Sequence, residues 1–302
     1  MKIFVTGASG YVGGTVLAAL LRDGHKIRGL VRSEQRADQV RALGVEPVRG
    51  TLADLPLLQQ EAGQADAVIN AADADERASV EAMLSALAGT SKPFIHTSGS
   101  SIVADCAAGA ASQKIYEDDT PVQPLPARAA RVALNAVVMG AAHSGIRSIV
   151  IAPTMIYGKG LGVNPNSIQV PKMIAVARLA GTARIVGSGL NAWSNVHVED
   201  LADFYLLALH KAKAGSFFYA ENGENALYDI AASIHRMMGV GRAPQSMTMP
   251  EAEEAYGSVP ANYSFGSNSR VRAVRARREL GWAPHRRSLL DEIEHGAYAG
   301  AA

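Results

Sequence analysis

Three glycines at positions 7, 10 and 13 stand between an apolar run at 3–5 and an alanine- and leucine-rich stretch that follows at once. In that spacing the first glycine permits a tight turn, the second lets backbone approach a pyrophosphate, and the third lets a helix pack closely on a strand. The start of the helix then offers free N–H groups and a partial positive charge to phosphate oxygens. The chemistry implied is dinucleotide binding by Gly7, Ser9, Gly10, Tyr11, Val12 and Gly13. An ordinary strand-to-helix turn is the structural alternative.

Such a turn needs a sheet behind it. β-like runs at 3–5, 26–31, 46–49, 67–70, 94–97 and 148–152 alternate with helical patterns at 13–22, 36–43, 75–88 and 127–143. That alternation predicts an α/β fold, a doubly wound parallel sheet with helices on both faces. Asp23-Gly24 and Gly44 read as helix ends, and residues 105–126, with Pro121, Pro124 and Pro126, read as a surface loop. Beyond Gly158 the pattern loosens. A helix at 172–179, a return to the sheet through a helix at 196–210 and a strand at 216–219 are expected. The dinucleotide domain therefore spans 1–158 completed by about 196–222, and residues 159–195 and 223–302 form a small C-terminal α/β substrate lobe.

Composition narrows the partners. The 302 residues carry 29 basic and 28 acidic side chains, net +1, so no global field recruits nucleic acid or an anionic membrane. The single cysteine, Cys106, excludes an internal disulfide framework and a cysteine-based zinc site, and no metal site is expected. No apolar run reaches membrane-spanning length and no leader pattern is read, so a cytoplasmic protein acting on a small molecule is expected.

Five stretches in order, TGASGYVGG at 6–14, INAAD at 69–73, FIHTSGSS at 94–101, APTMIYGKG at 152–160 and NVHVEDLADFYLLAL at 195–209, resemble the extended short-chain dehydrogenase/reductases, the NAD-dependent epimerase/dehydratase-like group with a Rossmann domain. ELGWAP at 279–284 resembles that family's C-terminal signature, so the resemblance covers nearly the whole chain. It implies cofactor contacts from Thr51 and Leu52 near the adenine, Asn70, Ala71 and Ala72 along the middle, Thr97 and Arg131 near the nicotinamide ribose, and Pro153 and Thr154 at the nicotinamide. Where NAD-specific members end the second strand on an acid, this chain has Val31, Arg32 and Ser33, and Arg36 follows. A guanidinium suits a 2′-phosphate that a carboxylate repels, which favours NADP(H).

The catalytic positions depart from the family. The resemblance implies a Tyr-x-x-x-Lys pair at 127 and 131 and a serine at 99, but the residues are Ala127, Arg131 and Gly99. Arginine holds charge but stays protonated, so it cannot relay a proton. Two repairs are open: Tyr116 from the preceding loop with Ser100 or Ser98 orienting the substrate oxygen, or a proton drawn from water. His197 beside Glu199 and Asp200 reads as a helix start, Arg270–Arg278 as a solvated or substrate-facing helix, and Trp193 and Trp282 as packing residues. Helices 75–88 and 127–143, with Ala82, Ala86, Ala133 and Ala136, match those that pair in the family's homodimers. The function expected is NADP(H)-dependent oxidoreduction of a small carbonyl, hydroxyl or imine compound. A non-catalytic NADP(H)-binding sensor is the alternative, and sugar-nucleotide epimerisation or dehydration, which needs an acid/base, stands behind both.

Overall fold

In the computed structural model, which describes residues 1–300, the opening apolar run is strand β1 (Lys2–Thr6), with Ile3, Phe4 and Val5 fully buried. Burial on both faces is what a parallel strand between two helical layers requires. Gly7, at φ 72°, turns the chain into α1 (Tyr11–Arg22). Then come β2 (Lys26–Val31), α2 (Glu34–Ala42), β3 (Glu46–Arg49), α3 (Leu55–Gln64), β4 (Ala67–Asn70), α4 (Arg77–Leu87) and β5 (Pro93–Thr97). After a short β6 (Tyr116–Glu117), α5 (Pro126–Gly140) leads to β7 (Arg147–Pro153) and β8 (Met155–Tyr157). The remainder holds α6 (Gln169–Ala180), β9 (Arg184–Val186), β10 (Ala192–His197), α7 (Val198–Lys211), β11 (Ser216–Ala220), β12 (Gly223–Ala226), α8 (Leu227–Met238), β13 (Gln245–Met247), α9 (Met249–Tyr256), β14 (Val271–Arg272) and a last helix, Leu289–His295.

Seven strands form one parallel sheet in the order β3, β2, β1, β4, β5, β7, β11. The chain winds outward in both directions from β1 and β4, which leaves a crevice beyond their carboxyl ends. On one face, Val16, Leu17, Leu20, Leu201, Phe204 and Leu209 of α1 and α7 pack on Ile3, Val5, Ile69 and Ile95. On the other, Leu58, Val80, Met83, Leu84, Leu134 and Val138 of α3, α4 and α5 pack on Phe4, Val68, Phe94 and Val150. A separate core is built from Met155, Tyr157, Trp193, Ile230, Phe265 and Ile293, around the sheet β8, β10, β12 and the pair β9, β13.

Several sequence expectations change here. Leu55–Gln64 is a helix where none was read; Asp54 caps it, and proline at its start hides it from a propensity reading. The loop at 105–126 contains β6, which pairs in parallel with β14. Arg270–Arg278 is helical and exposed only in its second half: it opens as β14, and most of its arginines are spent on partners within the fold. Arg270 and Arg272 pair with Glu224, Arg275 with Asp119, and Arg277 with Glu221. Ala82, expected on a dimer face, is buried, whereas Ala133 and Ala136 are exposed. His197 caps α7 by accepting from the Glu199 N–H at 3.2 Å, and both tryptophans are buried, Trp282 stacked on Phe204.

A buried carboxylate of α7 fastens the C-terminal segment to that helix. Asp200, 1% exposed, accepts from Asn222 Nδ2 at 2.9 Å and from the backbone N–H groups of His285 and Arg286 at 3.0 and 3.1 Å. Asp200→Ala orphans these donors. It should cost about 2–4 kcal/mol in a denaturant titration; an unchanged midpoint would show that the clasp carries no stability.

Candidate functional site

The crevice beyond β1, β2, β3 and β4 is a cleft of about 880 Å³. Its floor is the turn Gly7, Ser9 and Gly10; its far wall is Leu30, Val31, Arg32, Ser33 and Arg36; Thr51, Leu52, Ala71, Ala72 and Asp73 close the near side, and Asn164 reaches in from the loop after β8. The floor is made of backbone at close approach. A Cβ on Gly7 would lie 2.4 Å from the Ala71 oxygen, and one on Gly13 only 2.2 Å from the Gly7 oxygen. No side chain caps α1 and no acid stands in its first turn, so its leading N–H groups face the cleft uncontested. A cradle that admits no Cβ, at an uncapped helix start, fits a dinucleotide pyrophosphate.

The far wall is basic. Glu34, the carboxylate nearest in sequence to Arg32, is taken by Arg49 at 2.7 Å and lies 3.9 Å from Arg41. Arg32 makes no ion pair among the described residues, and Arg36 reaches only the Gln39 amide, at 3.0 Å. Ser33 caps α2 through the Arg36 N–H, and Thr51 accepts from Ala53 N, so both line the cleft with hydroxyls already partly engaged.

Other residues expected to touch cofactor also hold bonds within the fold. Asn70 is buried: its Oδ1 accepts from Thr6 Oγ1 at 2.5 Å and its Nδ2 lies 3.1 Å from His96 Nδ1. Tyr11 donates to the Gly158 carbonyl at 2.8 Å and so latches the loop after β8 onto α1, with Val12 packed on the core beside it. Gly14 and Gly162 meet there backbone to backbone. Thr97 shares a 2.6 Å hydrogen bond with Tyr205; Pro153 ends β7, and Thr154 Oγ1 donates to the Ala220 carbonyl at 2.9 Å.

Ser100 and Tyr116, read as the catalytic pair, are not brought to an open surface. Ser100 is 1% exposed and its Oγ accepts from Ser269 Oγ at 2.9 Å. Tyr116 is buried in an apolar cluster with Ile102, Val103, Ala152, Tyr219 and Val271, where its ring fastens the loop to the sheet edge. The partners that sink them, Ser269 and Val271, arrive from the far end of the chain.

At the Lys slot, Arg131 grips Asp75 with two bonds, 2.8 and 2.5 Å, and sends Nη1 to Ser101 Oγ at 3.2 Å, above Gly99. The guanidinium holds the Asp75 carboxyl below its ordinary range. Directly beneath, His96 is fully buried on the face of β5 that also carries Phe94. Burial, aided by the Arg131 charge, lowers its pKa to about 4, so the imidazole is neutral. Its Nε2, Ser98 Oγ and Asn135 Oδ1 are buried without partners among the described residues. Neither His96 nor Asp75 was singled out from the sequence. Histidine in an otherwise apolar strand was the only signal available.

The model of the NAD dependent epimerase/dehydratase family matches residues 3–218. Among curated proteins, the oxidase ucsJ of Acremonium sp. is 32% identical, covering 97% of this chain and 95% of its own. The 4-hydroxy-2-methyl-3-oxo-4-farnesyl-3,4-dihydroquinoline-1-oxide ketoreductase of Stigmatella aurantiaca is 29% identical over 74% of this chain and 69% of its own. Among solved structures, UDP-glucuronic acid 4-epimerase from Bacillus cereus, in complex with UDP-glucuronic acid and NAD, superposes with a TM-score of 0.76, 16% identity and coverage of 100% and 99%.

The buried imidazole sets a pH dependence. Between its unfolded value of 6.5 and about 4, the unfolded chain binds a proton at His96 that the native chain refuses. Stability contributed by this group is therefore complete above about pH 6.5 and falls as pH drops, by about 3 kcal/mol in total. His96→Phe should flatten that limb in denaturation curves taken from pH 7 to 4, whatever it costs at pH 7. An undiminished slope would place the titration elsewhere.

Proposed function

The chain belongs to the NAD dependent epimerase/dehydratase family of extended short-chain dehydrogenase/reductases, and from that membership we propose that it is an NADP(H)-dependent oxidoreductase of a small carbonyl, hydroxyl or imine compound that works without a Ser-Tyr-Lys triad. The observation that carries this reading is one cleft in which a glycine cradle faces a wall bearing an unpaired Arg32, while the proton-relay slots hold Ala127 and Arg131. Family membership makes the cofactor a nicotinamide dinucleotide; the choice of NADP(H) rests on Arg32, with Arg36 and Ser9 beside it. The names of the two relatives, an oxidase and a ketoreductase, support redox chemistry over sugar epimerisation.

When bound, the nicotinamide supplies a hydride or accepts one. The chain's own residues do the rest. Gly7, Gly10, Gly13 and the start of α1 receive the pyrophosphate, and Arg32 and Arg36 receive the 2′-phosphate by charge-assisted hydrogen bonds. Arg131, its charge balanced and its plane fixed by Asp75, binds ribose hydroxyls and keeps its Nη1 donor beside Gly99 and Ser101. With Tyr116 and Ser100 sunk in packing, the proton comes from water. A chain with one free cysteine and no disulfide suits a reducing cytoplasm. We also propose a homodimer through α4 and α5, supported by the exposed Ala129, Ala133 and Ala136; sedimentation at micromolar concentration should give the dimer mass, and a monomer rejects it.

NADPH consumption across a panel of aldehydes, ketones, imines and quinones tests the function. Turnover is expected with at least one class, unchanged by Tyr116→Phe, and Arg32→Asp should weaken NADPH binding about 100-fold while sparing NADH. Tight NADPH binding with no turnover anywhere would favour the sensor, and NADH preference in the wild type would overturn the cofactor assignment.

A further inference from the structure

One arginine beside the Arg131 slot has no counter-ion among the described residues. Arg128 lies in the first turn of α5, between the empty tyrosine slot and Arg131. Its guanidinium carbon sits 4.6 Å from the ring centre of Tyr263, which belongs to a wide helical turn, Ala261–Phe265, of the C-terminal lobe. Its one hydrogen bond runs from Nη1 to the carbonyl of its own neighbour Ala127, at 3.3 Å, and its Nε is buried with no partner among the described residues. Burial lowers its pKa and the neighbouring Arg131 charge lowers it further, while the pull of Asp75, a carboxylate already bonded to Arg131, offsets this only in part.

The surrounding arginines make the contrast. Arg131 has Asp75, Arg270 and Arg272 have Glu224, and Arg277 has Glu221. The charged and titratable groups that act on Arg128 are Arg131, Asp75, Tyr263 and the Cys106 thiol. With Arg131 and Asp75 cancelling, the charge of Arg128 is left without a carboxylate of its own among the described residues. A single planar fork with one uncompensated charge matches one carboxylate; a pyrophosphate would ask for more cations. The stacked Tyr263 ring holds the fork in place, so little rotamer entropy is lost when it is used.

Its position sets the geometry of the ligand. Arg131 lies three positions on from Arg128 in the helix, an axial step of about 4.5 Å. We propose that Arg128 is a substrate-docking residue that binds the carboxylate of a small oxo acid, whose carbonyl then lies a few bonds inward beside Arg131 and Gly99. This rests on the oxidoreductase reading above and adds the class of substrate to it.

The test is calorimetric, on the full chain saturated with NADPH, with 3-hydroxyhexanoate and its methyl ester as probes. The acid should bind at least about tenfold tighter than the ester. Arg128→Gln should erase that preference by weakening the acid alone, Arg128→Lys should keep part of it, and NADPH affinity should not change. Should Arg128→Gln fail to fold, Tyr263→Leu, which frees the fork without removing it, should lower acid affinity by a smaller factor. Equal binding of acid and ester, no binding of either, or a preference that survives Arg128→Gln overturns the proposal. Failure of NADPH to bind in the same titration would instead count against the cofactor reading, and the acid and ester comparison on the free chain would still decide the role of Arg128.

Discussion

Everything in this molecule is arranged around a place where three stretches of backbone touch. The carbonyl of Gly7 lies where a Cβ of Gly13 would be, and the carbonyl of Ala71 lies where a Cβ of Gly7 would be. β1, α1 and the exit from β4 are thereby held closer than any side chain permits. That contact leaves the uncapped start of α1 at the point where the sheet order reverses, so the crevice and its field come from the same packing. A second glycine contact, Gly14 on Gly162, with the Tyr11 hydroxyl on Gly158, carries the loop after β8 over the same helix and brings Asn164 to the cleft wall.

The other end of the site is built on different terms. Instead of a phenol and an ammonium, α5 presents Ala127 and an arginine locked to Asp75. A guanidinium cannot pass a proton at neutral pH, and the histidine beneath it is kept neutral by burial. On the function proposed above, the site works by oriented guanidinium donors, which serve hydride transfer to a polarised carbonyl, and not by the acid/base that a sugar hydroxyl would require. Arg128 extends that logic outward: charge positioned by packing on Tyr263, with no carboxylate of its own among the described residues.

How much of this the sequence displayed follows from the range of the interactions involved. The strands at 26–31 and 67–70 stood at their bounds because a buried parallel strand writes its apolar run locally. Gly7, Gly10, Arg32 and Thr51 were legible as cleft residues because strand ends in this topology converge on one edge. Asn70 and Thr97, expected as contacts from the family resemblance, also hold bonds to His96 and Tyr205 that no local sequence pattern displays. Ser100 and Tyr116 looked available only because Ser269 and Val271, which bury them, lie more than 150 residues further on. The arginine run at 270–278 failed for the same reason, its carboxylates being scattered over 119–224.

The central claim is that reduction here proceeds without an ionising protein donor. The most direct test is the pH dependence of kcat for NADPH oxidation with the best substrate of the panel, followed from about pH 6 to about pH 9, with NADPH carrying deuterium at the transferred position. A flat profile, with deuterium delivered to the product carbon, is the result that a site of fixed charge requires. A limb that titrates a single group within that range, and moves when one side chain is replaced, would contradict it by revealing an acid that the buried Tyr116 and neutral His96 do not supply.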